Sequence, residues 1–296
     1  MRELDAFLAE LSGLSGSSTN TVRSYRQHVS AFLDFITSKH IQIDAVRREN
    51  MLEWSRTMDE RKLMPRSKAV AVAAVRRFFG WMVETERLAS SPVPPSMTVK
   101  VKKQEAKDVP DAQTFLAWRA QLETFSLVQA AAIELMAGSG LRVGALTTLT
   151  RQHLHLDGPR PHVLVDTAMA CKGCMAGEIP VTPAAASSLR KFLATATAPK
   201  NGPIFNMSEQ AVRNWCSKLS DSLHPHALRH FYCAMMYYKN LDGGRHDAVW
   251  VRDAAGHSSI AVTDNYLRMS RRVVADDASW HAVVHGRPMA ESLAAA

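Results

Sequence analysis

HPHALRH, residues 224–230, sets three histidines and one arginine within seven residues, with two aliphatic side chains between them. Neutral imidazole is the commonest metal ligand, and His226 and His230, four apart, would share a helix face. No glutamate lies between them as a zinc-protease pattern requires, and the fixed cation of Arg229 repels a metal dication. The same guanidinium suits a phosphate, to which it offers planar, forked N–H donors. Taken alone, the stretch fits either phosphate chemistry or a plain helix start with capping histidines.

The rest of the chain narrows the choice. It has 296 residues, 46% hydrophobic and 22% charged, enough for one large or two ordinary domains. Its formal charge of +8 favours a polyanionic partner. Both parts are basic: residues 1–105 carry 17 basic and 12 acidic side chains, the remainder 19 and 16. No apolar run reaches the roughly 18 residues of a membrane span, and MRELDAFLAE lacks a signal-peptide core, so the expected location is cytoplasmic, with no membrane partner. Four cysteines do not make a disulfide framework, and the CxxC of Cys171 and Cys174 has no second pair, which leaves zinc or redox use a minor alternative.

Along the chain, the first 90 residues read as helices. TVRSYRQHVSAFLDFIT places Val22, Tyr25, Val29, Phe32, Leu33 and Ile36 on one face, with Asn20 or Thr21 as candidate cap. AVAVAAVRRFFGWMVETERL forms another amphipathic run, whose Phe78, Phe79 and Trp81 read as core rather than base-stacking groups. PVPPSMTVKVKKQEAKDVP, with four prolines and four lysines, is a semi-rigid basic linker. Beyond it the pattern mixes: DAQTFLAWRAQL and SLVQAAAIELMAG are helical, GSG interrupts, HVLVD and EIPVT form a small antiparallel sheet, and the remainder is mostly helical.

Four stretches then join one scheme. GSGLRVGAL carries Arg142, CKG carries Lys172, HALRH carries His226 and Arg229, and GHSSIAVTDNY carries His257 with Tyr266 nine residues on. In this order they resemble the tyrosine recombinases, the lambda-integrase-like, Xer-type family. The N-terminal part agrees, with a TxxxY segment from Thr21 to Tyr25 and a helix followed by SP. The resemblance implies a mainly α fold with a small antiparallel sheet. Residues 1–95 would be a helical core-binding (SAM-like) DNA-binding domain, 96–107 a linker, and 108–296 a mixed α/β catalytic domain. It also implies a site-specific recombinase clamped on double-stranded DNA as a homo-tetramer on paired sites, or together with a partner recombinase, with a 3′-phosphotyrosyl intermediate, no cofactor and no metal. SWHAVV, residues 279–284, is a candidate docking element for the exchange of C-terminal segments.

Elementary chemistry assigns parts to the same residues. Breaking a phosphodiester without water or metal needs an oxygen nucleophile that stays attached, cations for the phosphorane charge, and an acid for the departing 5′ oxygen. Tyr266 is the candidate nucleophile, a phenol of pKa about 10 that can leave again. Arg142 and Arg229 would clamp the non-bridging oxygens and His257 would donate to the phosphate. Lys172 would protonate the 5′ oxygen, and His226 would act as base or phosphate ligand. Each residue also has a plainer reading: Arg142 at a helix terminus or in a helix-turn-helix, Lys172 as a solvated turn lysine, Tyr266 as core, His230 as packing. Pro180, eight residues after Lys172, has the spacing usual in the family.

The chain departs from the family where Ala145, Ala227 and Ala255 replace, respectively, an acidic residue, an aspartate and a leucine, and where the connection 239–254 is about five residues longer. A type IB topoisomerase or telomere resolvase would share the chemistry, and an inactive relative would only bind DNA.

Overall fold

The computed structural model describes residues 2–13, 19–101, 109–166, 169 and 176–288, without the side chains of Thr19, Val262, Asn265, Tyr266 and Leu267. It divides into two compact units, Met1–Lys103 and Gln104–Ala296.

The first unit holds α1 (Arg2–Gly13), α2 (Thr19–Ser38), α3 (Arg48–Glu60) and α4 (Pro65–Glu84). On α2 the expected stripe faces inward: Val29, Phe32 and Ile36 are buried, and Val22, Tyr25 and Leu33 pack against the same core. The helix is already formed at Thr19, so Asn20 and Thr21 lie in its first turn rather than capping it. Pro65 opens α4, four residues before the apolar run, because its fixed φ suits a first helical position. Phe78, Phe79 and Trp81 are core groups: Phe79 meets Phe32 edge-on at 5.6 Å, and Trp81 Nε1 donates to Glu10 at 2.7 Å. Val93 is buried in this unit and Arg76 donates to the carbonyls of Pro94 and Met97, so the start of the proline-rich segment is bound to the helices rather than spacing them.

In chain order, the second unit opens with α5 (Ala112–Gln121), α6 (Leu127–Ser139) and α7 (Val143–Thr148). The strands β1 (Leu154–His155), β2 (His162–Val165) and β3 (Gly177–Pro180) follow. Then come α8 (Pro183–Leu193), α9 (Glu209–Leu219), α10 (Pro225–Tyr238), α11 (Ala248–Ala254), α12 (Ile260–Leu267), α13 (Ser270–Val273) and α14 (Asp277–His285). The sheet is antiparallel in the order β1-β2-β3, with Val163 opposite both Leu154 and Ile179. Helix α6, apolar all round, and α10 run through the core, which is why their side chains from Ala131 to Ser139 and from Phe231 to Met236 are buried. The chain is thus mainly helical with one small sheet. No described helix is long and apolar enough to cross a membrane.

SWHAVV does not project as a free docking element. Trp280, Val283 and Val284 of α14 are buried in their own unit. Arg119 holds the helix there: its Nη1 and Nη2 donate to the carbonyls of Ala282 and Val283 at 3.0 and 2.8 Å, while Nε and Nη2 form a forked pair with Glu134 at 2.5 and 2.9 Å. Removing one member of such a pair strands the other's charge. Glu134→Ala should cost about 3–5 kcal/mol of stability, read as a lower urea midpoint, and a loss under about 1 kcal/mol would mean solvent reaches Arg119.

Candidate active site

HPHALRH is a capped helix start, one of the two readings it suggested. His224 is the N-cap of α10, its Nδ1 accepting from Ala227 N at 3.1 Å, and Pro225 occupies the first turn. His226 and Arg229 then fall on successive turns of the same helix. Arg229 is only 2% exposed, and its guanidinium ties two distant turns to α10: Nη1 donates to Gly140 O and Nη2 to Ala255 O, both at 2.6 Å.

Those turns carry the other motifs. Gly140 ends α6 with φ +65°, where a side chain would be strained and a Cβ would stand 2.6 Å from the Tyr232 ring. Arg142, half-buried, is the N-cap of α7 two residues on. Gly256, at φ +61°, turns the chain after α11, and His257 N bonds Arg252 O at 2.9 Å. His257 is fully buried, with Nδ1 2.9 Å from Thr263 Oγ1. The helix α12 begins three residues later and includes the backbone of Tyr266, whose side chain lies outside the described residues. Lys172, Cys171 and Cys174 also lie outside them.

Burial first, and neighbouring positive charge second, set the histidines. Burial, then Arg229 and Arg142, push His257 down to about 3. His230, stacked on His226 with ring centres 5.8 Å apart, is pushed down to about 4, by burial first and then by neighbouring His226, His224 and Arg229. His226 is exposed along one edge of the helix, yet desolvation by the protein around it, followed by Arg229 and Arg142, lowers it as well. All three are neutral near pH 7. One short region thus offers two guanidinium groups, a neutral exposed imidazole and a neutral buried one.

Family models match both units: the phage integrase N-terminal SAM-like domain over residues 4–86 and the phage integrase family over residues 108–272. The chain belongs to the phage integrase family, the tyrosine recombinases. It is 24% identical to tyrosine recombinase XerC of Neisseria meningitidis serogroup C over 288 residues, covering 90% of each chain. It is 28% identical to tyrosine recombinase XerD of Vibrio cholerae over 143 residues, 48% of this chain and about half, 47%, of that protein. The fold resembles that of a lambda integrase dimer bound to a COC' core site, with a TM-score of 0.68 at 16% identity over 91% of this chain and 95% of that one. It also resembles XerH recombinase bound to a palindromic difH substrate, with a TM-score of 0.68 at 16% identity over 89% of this chain and 79% of the other. The activity class is therefore that of the tyrosine recombinases, site-specific cutting and rejoining of DNA.

Within this recombinase two of the three alanine departures supply backbone groups to their neighbours. Ala255 supplies the carbonyl that Arg229 grips and Ala227 the N–H that His224 caps, while Ala145 is buried. Sequence reasoning passed over Tyr232. It is fully buried with its titration pushed far up by desolvation, and its hydroxyl donates to Pro180 O at 3.2 Å, pinning the end of β3 to α10. Nothing in the run FYCAMMYY distinguishes that tyrosine from core.

The neutral histidines link acidity to folding. His230 titrates near 6.5 when unfolded and near 4 when folded, so below about pH 6.5 the unfolded chain binds more protons and stability falls, continuing down through about pH 4. His257 adds to the same slope, extending to about 3. Thermal melts across this range should show Tm falling on acidification, with a shallower fall in His230→Gln. An equal slope in that variant would mean His230 takes up its proton while folded.

Proposed function

We propose that the chain is a metal-independent, site-specific DNA recombinase acting through a 3′-phosphotyrosyl intermediate. Arg142, Lys172, His226, Arg229, His257 and Tyr266 would form its catalytic set. The observation that supports this most is the grip of Arg229 on Gly140 and Ala255, which draws the Arg142 turn and the His257 turn to the helix bearing His226. A DNA phosphate seated there meets two permanent cations in low-dielectric surroundings, where they are worth most to a charged transition state.

In this reading the Tyr266 oxygen attacks phosphorus, the new O–P bond forms in line with the breaking P–O5′ bond, and the phenolic proton passes to neutral His226. Arg142 and Arg229 hold the non-bridging oxygens, His257 donates to one of them, and Lys172 delivers a proton to the departing 5′ oxygen. The phosphotyrosyl bond keeps the phosphodiester's energy, so a 5′-hydroxyl from another strand can reverse the step. Rejoining to a different duplex requires two paired sites, which four copies of the chain would occupy.

The test is a nicked suicide duplex, on which the wild type should accumulate a protease-sensitive covalent adduct. Tyr266→Phe should bind this DNA and form no adduct; an adduct with that variant would remove Tyr266 from the role. DNA affinity itself should fall by roughly three to five powers of ten between 50 and 200 mM salt if some 6 to 10 phosphates are contacted, whereas a flat response would contradict so extensive a phosphate interface.

Lys172 has a chemical test of its own. Its loss forces out an alkoxide, whose parent resembles water with a pKa of about 15.7. A 5′-bridging sulfur leaves instead as a thiolate, whose parent thiol has a pKa of about 8.5. Lys172→Ala should cleave ordinary DNA slowly and the phosphorothiolate almost normally, while Arg142→Ala and Arg229→Ala gain far less. Equal rescue of all three would exclude Lys172 and direct attention to Lys191 or Lys200.

A further inference from the structure

Thr263, on the first turn of α12, is fully buried, and among the described residues His257 Nδ1, at 2.9 Å, is the sole hydrogen-bond partner of its hydroxyl. Several other threonines of this chain, in or at the end of helices, donate to a carbonyl three or four residues back, as Thr57 does to Trp54, Thr85 to Trp81 and Thr147 to Gly144. Thr263 makes no such bond among the described residues, so its proton has one place to go. Were Nδ1 protonated, the hydroxyl would accept and its own hydrogen would lie buried without an acceptor, an arrangement native interiors avoid.

We infer that Thr263 is a positioning residue that donates to Nδ1 of His257 and thereby fixes the tautomer in which Nε2 carries the ring's proton. The ring has one proton to place, because burial and the two arginines keep it neutral. A hydrogen bond at one ring nitrogen sets what the other can do. His257 then presents Nε2–H, which donates to a non-bridging phosphate oxygen and has no lone pair with which to take a proton from Tyr266. The two histidines are thereby separated by role: His257 as donor and His226 as acceptor. The tautomer follows from the buried geometry of a neutral ring, whereas its consequence for cleavage rests on the function proposed above.

Two measurements separate those layers. In full-length protein labelled with 15N-histidine, with the His257 signals assigned by their loss in His257→Gln, the wild type should show a protonated Nε2 and a bare Nδ1 at neutral pH. A protonated Nδ1, or a mixture of the two forms, overturns the inference whatever the protein does to DNA. On the suicide duplex, Thr263→Val should lower the rate of adduct formation roughly ten- to a hundredfold with DNA affinity unchanged, and Thr263→Ser should restore it. Wild-type rates in Thr263→Val, or a serine variant as slow as the valine one, also overturn it. If the valine variant does not fold, the wild-type spectrum and the serine variant still decide. Absence of any adduct with the wild type would defeat the proposed function and leave the tautomer to the spectrum.

Discussion

One guanidinium holds this site together. Arg229 is buried to 2% exposure, and a charge so placed persists only where polar groups compensate it. The carbonyls of Gly140 and Ala255 do so, and each belongs to a turn that carries a residue of the proposed catalytic set two positions later, Arg142 in one case and His257 in the other. Helix α10 therefore acts as a post to which separate parts of the chain are tied. The two glycines follow from that geometry: Gly140 and Gly256 adopt left-handed backbone where the chain must turn close to the arginine.

Burial, and after it the same positive charge, lowers the histidines. With Arg142 and Arg229 nearby, an imidazolium in the buried part of the site would be doubly disfavoured, by desolvation and by like charge. In the proposed mechanism this gives a division of labour in which arginines supply permanent charge and histidines neutral donor and acceptor atoms. Such a division suits a reaction whose phosphate charge must be met continuously while a proton is handed over once. Away from this centre, Arg119 repeats the device at the structural level, bridging Glu134 and the last carbonyls of α14.

Much of this was legible because the periodicities are strong. The stripe on α2 and the two apolar runs of the sheet are legible because each is a repeated pattern, and the glycine break after α6 because Gly140 there ends the helix in left-handed backbone. Short or singular features escaped. β1 has two residues, too few to alternate, and the apolar face of α14 announces burial without saying on which surface. Within HPHALRH the capping His224 and the other histidines look alike, because only the first-turn geometry makes the His224 Nδ1 accept from Ala227 N. Arg229 was expected as a phosphate clamp; that it ties backbone turns together is a long-range fact which no local spacing encodes. Tyr232 and Thr263 sit in stretches that read as core, and their hydroxyls matter only through partners 52 and 6 residues away.

The central claim is that the arginine fork, and not merely a positive charge, makes the site. Arg229→Lys keeps the charge and removes the planar pair of donors that reaches two carbonyls at once. The decisive measurement is the rate of covalent adduct formation by this variant on a nicked duplex, with folding checked by near-ultraviolet circular dichroism. The account predicts a folded, less stable protein whose adduct rate is down by roughly a hundredfold or more. A folded variant forming adduct at the wild-type rate would contradict it.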